Sequence, residues 1–378
     1  MIQPERPRLF FPGLTALRGI ASLWVVVLHA SLFVGELLPG RSQDVWNFFA
    51  RPGFLGVDVF FVLSGFVMSV GYSSWFSKET RWAPTWGRFI RNRAARIFPA
   101  HLAVLLPLAV AVLGFHVDLA GAADEHRWST GSLIMALLLV QSWFGRFDAW
   151  NAVAWSVSAE WLFYLLFPII VGVTVWVARR LGGRWSEVLG LVALAGVALA
   201  ETLYLRDVTT WHSPLLLTSG IEFAVGALFW QSRLCRGTSL SPASSRSSQA
   251  TTPLVLGLVF GSAVVASRGW PPHGAIVVIP LLVSAFTAEK QARWLRARWL
   301  QRLGDISYSL YLLHYPWQWL MRTIIPPGDI SGRHVVIRVG VLVLYLIPPF
   351  LAASLLYRLV EMPGKRVFSG AQPRTSGT

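Results

Sequence analysis

The sequence predicts an all-α protein that crosses a lipid bilayer many times. Only 13% of its residues are charged and 54% are hydrophobic, whereas a soluble domain carries roughly 25% charged residues. Mean hydropathy is +0.54. The apolar residues gather in runs of roughly 16 to 25, close to the ~20 that one helical crossing needs. Short basic loops divide them, and no polar-faced helices are present to cover a large water-soluble core.

The runs lie near residues 14–34, 54–73, 97–116, 131–146, 155–178, 187–205, 213–232, 253–267, 274–288, 306–325 and 335–360. The first is too long for a cleavable signal and lacks a small-residue cleavage site. No soluble domain interrupts the series, and no internal repeat is visible. Residues 1–368 read as a single membrane domain. Within it, 236–252 is Ser/Thr-rich and reads as a flexible cytoplasmic loop. Residues 369–378 read as a disordered tail.

The formal net charge is +15. In a soluble chain this would point to nucleic acid. Here the arginines flank apolar runs, as the positive-inside rule requires, and no nucleic-acid partner is expected. Arg6 and Arg8 place the N-terminus in the cytoplasm. Lys78, Arg81, Arg88, Arg91, Arg93 and Arg96 place the second loop there too, while Asp118, Asp124 and Glu125 suit the outside. If 131–146 crossed, Arg179, Arg180 and Arg184 would lie outside and every later loop would invert. Treated as a re-entrant or buried half-helix, it leaves those arginines inside. Arg233, Arg236, Lys290, Arg293, Arg296, Arg298, Arg302, Lys365 and Arg366 then fall inside as well. The expectation is about ten crossings of a bacterial inner membrane with both termini cytoplasmic.

Cys235 is the one cysteine, which excludes an intramolecular disulfide and a cysteine-based metal cluster. The eight histidines lack the i, i+4 spacing of a helical zinc site, so no metal is expected. A phosphate-binding Gly-rich loop, a nucleophile elbow and a zincin motif are all absent from the sequence. Chemistry is therefore sought among ionisable residues inside the spans, which are costly there: Arg18, His29, Asp58, Glu160, Glu222 and His314.

Arg18 and His29 are eleven residues apart, three helical revolutions plus about 20°, so they share one face ~16 Å apart. An anionic group held at one end and a thioester at the other would match the length of a phosphopantetheine arm. Histidine is the natural general base for an alcohol near neutral pH. The alternative makes Arg18 a membrane-edge anchor and His29 a packing residue. Asp58 is either a cap or an orienting partner for His29, and Ser64, Gly65 and Gly71 form a small-residue face for helix approach. Arg88 and Arg91, and Arg93 and Arg96, are i, i+3 pairs suited to the three phosphates of coenzyme A, or to topology alone. Trp155, Ser156, Ser158, Glu160 and Trp161 open another span. There Glu160 caps a helix N-terminus, pairs with His29 or binds a sugar hydroxyl. Ser307, Tyr311 and His314 follow i, i+4, i+7 and either line a cavity or bond neighbouring helices.

Taken in order, LTALRGIASLWVVVLHA, GVDVFFVLSGFVMS, RNRAARIFP, WSVSAEWLFYLLFP, GDISYSLYLLHYP and VEMPGKR resemble the acyltransferase-3 family of integral membrane O-acyltransferases from about residue 12 to 366. Each motif alone is weak, whereas the ordered set is specific. The resemblance implies about ten transmembrane helices and acyl transfer from coenzyme A to extracytoplasmic or lipid-linked glycans. It makes His29 the essential histidine of the family's Arg-to-His pair with Arg18. It also assigns Arg93 and Arg96 to an Arg-x-x-Arg motif at the donor, and Glu160 to a Trp-Ser-x-Ser-x-Glu stretch. Thr15 stands where many members have Asp. A soluble SGNH-type hydrolase domain is expected to be absent after the last span, so transfer is completed alone or with a partner.

The expected function is membrane O-acetylation of an exopolysaccharide or O-antigen hydroxyl. Acyl-CoA serves as donor substrate, no cofactor is permanently bound, and the partners are the glycan acceptor and membrane lipid. Acyl-CoA docks on Arg93 and Arg96, with Arg91 and Arg18 adding charge, and His29 acts as base, oriented by Glu160 or Asp58. Trp155, Ser156, Ser307, Tyr311 and His314 line the substrate path. The same buried ionisable residues would suit a proton-coupled transporter or flippase, and the same fold an acceptor that is a lipid, peptide or macrolide.

Overall fold

A computed structural model describes residues 11–38, 40–78, 82–117, 127–146, 149–204, 214–237, 251–268, 272–287 and 293–369. Most of 236–252 and all but the first residue of 369–378 lie outside the described residues. So do Arg6, Arg8, Asp118, Asp124, Glu125 and Lys290. Among the described residues the protein is helical throughout, with no strand. In chain order the helices are α1 (Pro12–Leu37), α2 (Arg41–Ala50), α3 (Leu55–Lys78), α4 (Trp82–Ala109), α5 (Thr130–Leu138), α6 (Ala154–Leu165), α7 (Phe167–Tyr204) and α8 (Pro214–Cys235). They continue with α9 (Thr251–Ser267), α10 (Ile279–Ala285), α11 (Arg298–Ile324), α12 (Pro327–Ser331), α13 (Val335–Leu346), α14 (Pro348–Leu356) and α15 (Met362–Ser369).

Six helical stretches among the described residues are long and apolar enough to cross a membrane: Pro12–Ser31, Arg41–Phe76, Ala83–Gly114, Phe167–Leu203, Leu215–Cys235 and Val335–Val367. Large apolar side chains stand outward on them, Leu359 at 70% and Leu217 at 68% exposure. Such surface is stable against lipid and not against water. The protein is a helical membrane protein.

Six is fewer than the runs in the sequence, for physical reasons. Helix α7 is two helices joined at Gly182 (φ 75°, ψ 161°), a backbone conformation open only to glycine. Helix α6 is 12 residues and α9 is 17, and α11 is long enough but too polar. The 131–146 run becomes a nine-residue helix, a left-handed residue at Leu139 (φ 56°) and a 3₁₀ turn at Gln141–Phe144. Nine residues rise only ~14 Å, half a bilayer. Non-helical backbone at this depth must be satisfied by protein, and it is. His101 Nε2 donates to Ala136 O at 2.8 Å, Ser142 N donates to Ser158 Oγ at 3.2 Å, and Trp143 Nε1 to Ser158 O at 2.8 Å. The second serine of the WSVS stretch therefore fastens the half-helix.

The described residues fall into two compact units. The first holds α3, α7 to α10, the start of α1 and the start of α11. A Cβ on Gly65 would drive into Phe223 O, and one on Gly226 into Val62 O. Phe66 meets Trp230 with ring centroids 5.7 Å apart. Val62 and Phe66 thus face Gly226 and Trp230 at a constant offset, so α3 and α8 run parallel with their backbones in contact. Of the small-residue face, Gly65 makes the approach, whereas Gly71 has open space beside it. The second half of α7 packs antiparallel on α8, with Gly183 against Ser232 O, Gly190 against Phe229 and Val225, and Glu187 ion-paired with Arg236.

The second unit holds the rest of α1 and α11 with α2, nearly all of α4, α5, α6 and α12 to α15. One core packs Leu105, Leu108, Trp150 and Trp319. Another packs Phe33, Val34, Leu37, Met321 and Tyr345.

Gly226→Val should destabilise the fold by about 3 kcal/mol, the upper range for overpacking, because the obstacle is backbone. The detergent-solubilised protein should lose its monodisperse peak or melt well below wild type, whereas Gly71→Ala should match wild type in the same thermal scan.

Candidate active site

The site is organised by α1 and α11, which run side by side in parallel. In the first unit Arg18 donates from Nε at 3.0 Å and a terminal nitrogen at 2.6 Å to Gly304 O. Gly304 is required there, since a Cβ would strike Thr15 O. In the second unit Ser22 Oγ donates to Ser307 O at 3.0 Å, and His29 Nδ1 lies 3.2 Å from His314 Nε2. In the second unit both partners are offset by 285 residues, so α1 and α11 run parallel there.

His29 is half-buried and His314 is 4% exposed. His29 Nδ1 also sits 3.0 Å from Val25 O, and His314 Nδ1 sits 3.3 Å from Leu310 O. The Tyr315 ring meets His29 edge-on at 5.1 Å. One turn back, Tyr311 lies 5.7 Å from His314, with its hydroxyl 2.7 Å from Ser156 Oγ and donating to Val153 O at 3.0 Å. A small cavity beside His314 is lined by Val26, Trp317, Tyr345, Leu346 and Pro349. His29, His314, Tyr311 and Ser156 are thus brought together in one unit. Ser307 is fully buried and its carbonyl is engaged by Ser22. Trp155 is half-buried at the start of α6.

Asn151, which sequence reasoning missed, positions this stretch. Pro316 lacks the N–H that Leu312 O would accept, and Asn151 Nδ2 supplies it at 2.8 Å. The signal was present in the sequence: a proline inside a polar span needs a donor from elsewhere.

The expected orienting acids are placed differently. Glu160 accepts from Tyr164 OH at 2.7 Å, and the group in contact with His29 Nδ1 is His314. Asp58, in the first unit, faces Glu222 across the α3–α8 seam, with Glu201 nearby. It extends the Val62–Gly226 and Phe66–Trp230 register by one more turn.

The arginines of α4 divide into two kinds. Arg91 is exposed, as is Arg88. Arg93 lies 5.9 Å from the ring centroids of Phe89 and Tyr164. Arg96 sits 5.4 Å over Tyr308 and ion-pairs with Glu361, which is wholly buried and also takes Lys365 Nζ at 2.8 Å and Ser309 Oγ at 2.9 Å. Glu361 ends a π-helical turn, Tyr357–Glu361, an irregularity frequent at functional sites. It lies in the VEMPGKR motif, yet its charge at the end of a long apolar run was the cue that went unread.

The helical membrane protein thus sets the half-buried His29 against the buried His314, beside the bonded hydroxyls of Tyr311 and Ser156. The family profile described as an acyltransferase domain (acyltransferase-3) matches residues 11–358, and the chain belongs to that family. It is an O-acyltransferase. The chain is 28% identical over 330 residues to acyltransferase MdmB of Streptomyces mycarofaciens, covering 80% of this chain and 78% of that one. It is 24% identical to the putative peptidoglycan O-acetyltransferase YrhL of Bacillus subtilis (95% and 56% covered). It is 23% identical to O-acetyltransferase OatA of Staphylococcus aureus (94% and 57%). The chain spans little more than half the length of those last two relatives. No solved structure matches.

Glu361→Ala would take the carboxylate partner from Arg96, whose side chain is 20% exposed, and from Lys365 and Ser309, which costs about 2 kcal/mol, less than breaking a fully buried pair. The melting temperature of the purified variant should fall accordingly, and Arg96→Met together with Glu361→Leu should recover part of the loss.

Proposed function

We propose that the protein transfers an acetyl or other short acyl group from acyl-CoA to a hydroxyl of a surface or lipid-linked polysaccharide. The observation that carries this reading is His29, held inside the second unit with hydroxyl groups leading to its partner. His29 Nε2 takes the alcohol proton as the alcohol oxygen bonds to the thioester carbonyl carbon. The tetrahedral intermediate collapses, the C–S bond breaks, and the CoA thiolate leaves with the proton that His29 returns. Tyr311, Ser156, Ser307 and Trp155 line or support the acceptor path.

The donor phosphates are read by Arg91, Arg93 and Arg96, with Arg18 on the His29 face of α1. Arginine clusters suit phosphate through bidentate hydrogen bonds. Since Arg96 is already neutralised by Glu361, Arg91 and Arg93 supply most of the net charge. The relatives YrhL, a putative peptidoglycan O-acetyltransferase, and OatA, an O-acetyltransferase, support acetyl as the group and glycan as the acceptor. The parallel course of α3 and α8 supports the ten-crossing arrangement in a bacterial inner membrane. In that scheme both helices run inward, toward Lys78 and Arg233.

His29→Ala should lower transfer of labelled acetyl from acetyl-CoA to envelope glycan by at least ~100-fold, the usual worth of a general base, with the variant still folded in membranes. Transfer at the wild-type rate would remove His29 from the chemistry.

A further inference from the structure

We infer that His314 is a positioning residue: its bare Nε2 accepts the His29 Nδ1–H and so keeps His29 in the one tautomer whose Nε2 is free to take a proton. The inference rests on the reading of His29 as general base and adds a residue to that site.

The argument is one of donors and acceptors. A backbone carbonyl can only accept, so His314 Nδ1, 3.3 Å from Leu310 O, carries hydrogen. In a neutral imidazole that leaves Nε2 with its lone pair exposed. The atom facing it, His29 Nδ1 at 3.2 Å, must therefore bring the hydrogen. Val25 O, 3.0 Å from the same His29 nitrogen, makes the same demand. One N–H is thus shared between a carbonyl and an imidazole, and both demand the same tautomer. The opposite tautomer of His29 would set lone pair against lone pair on both sides.

Distance and burial single out His314 for this part. It is 4% exposed, and the turn that carries it is fixed by Asn151 on Leu312 O and by Tyr311 on Val153 O. Its ring lies 5.0 Å from that of His29 at 51°, tilted rather than stacked, as a nitrogen-to-nitrogen hydrogen bond requires. When His29 takes the alcohol proton, its Nδ1–H bond to His314 becomes charge-assisted and shortens. His314 then supports the imidazolium without touching substrate.

Gln and Asn at position 314 separate this role from packing. The Gln side-chain oxygen reaches the place of Nε2 and can accept, whereas the shorter Asn amide reaches only the place of Nδ1. Transfer from acetyl-CoA to unmodified envelope glycan is measured in membranes carrying wild type, His314→Gln, His314→Asn and His29→Ala. His314→Asn should lose roughly 100-fold in kcat, less than the ~10⁴-fold that a fully mis-set base tautomer produces, at unchanged KM for acetyl-CoA. His314→Gln should stay within about 10-fold of wild type. Nitrogen-15 spectra of the histidines should show His29 protonated at Nδ1 in wild type and His314→Gln, and a mixture of tautomers in His314→Asn. Equal rates for the Gln and Asn variants, or an unchanged His29 tautomer in His314→Asn, would overturn the inference. A dead His29→Ala beside a fully active His314→Asn sinks this role alone. An active His29→Ala sinks the general-base reading itself.

Discussion

Inside a bilayer there is no water to satisfy a polar group, and this constraint shapes every irregular feature of the protein. A broken helix, a proline in a span or a charge at depth each requires a partner from the protein itself. Helix α5 ends halfway, and His101 with the Ser142–Ser158 pair takes up its loose backbone. Pro316 opens one carbonyl of α11, and Asn151 closes it. Arg96 enters the second unit, and Glu361 at a π turn meets it. The polar residues so recruited hold the segments that surround the imidazole pair, so the cost of burying them is offset where geometry matters most.

Close packing carries the rest. Lipid offers apolar side chains as good an environment as protein does, so helix association depends on small residues that let backbones touch. Gly65 and Gly226 do this for α3 on α8, Gly183 and Gly190 for α7 on α8, and Gly19 with Gly304 for the start of α1 on α11. The α1–α11 contact has a second consequence, because parallel helices at a constant offset put every matching level side by side. In the second unit Ser22 on Ser307 O holds that offset, and the residue 285 positions beyond His29 faces it.

Much of this was legible in the sequence. Apolar run length foretold helices in a membrane. Charge counting singled out 131–146 as a re-entrant or buried half-helix, and the helix found there is nine residues long. The Arg18–His29 spacing and the Ser307–Tyr311–His314 stripe marked the two helices that meet at the His29–His314 pair. What periodicity could not supply was pairing between elements distant in the chain. A face shared by residues 307, 311 and 314 is a statement about one helix, and nothing in it says which helix lies opposite. Acids were expected to orient His29 because carboxylates commonly orient histidines. Asp58 instead faces Glu222, and Glu160 holds Tyr164. Glu361 and Asn151 escaped notice because their roles exist only once Arg96 and Leu312 have been placed beside them.

The presence of an imidazole beside His29, in place of a carboxylate, fits the same lack of water inside the bilayer. A carboxylate next to His29 would be a permanent charge needing its own partners, and desolvating it would cost several kcal/mol. A neutral imidazole accepts the same hydrogen bond with no net charge, and its second nitrogen is satisfied by a carbonyl of its own helix. The Val25 carbonyl adds a second acceptor at no further cost, since it belongs to the helix that bears His29. The pair is therefore oriented by groups that are neutral before the proton moves. On the proposed reading of His29 as base, their pull grows only as positive charge develops on it, which is when stabilisation speeds a reaction.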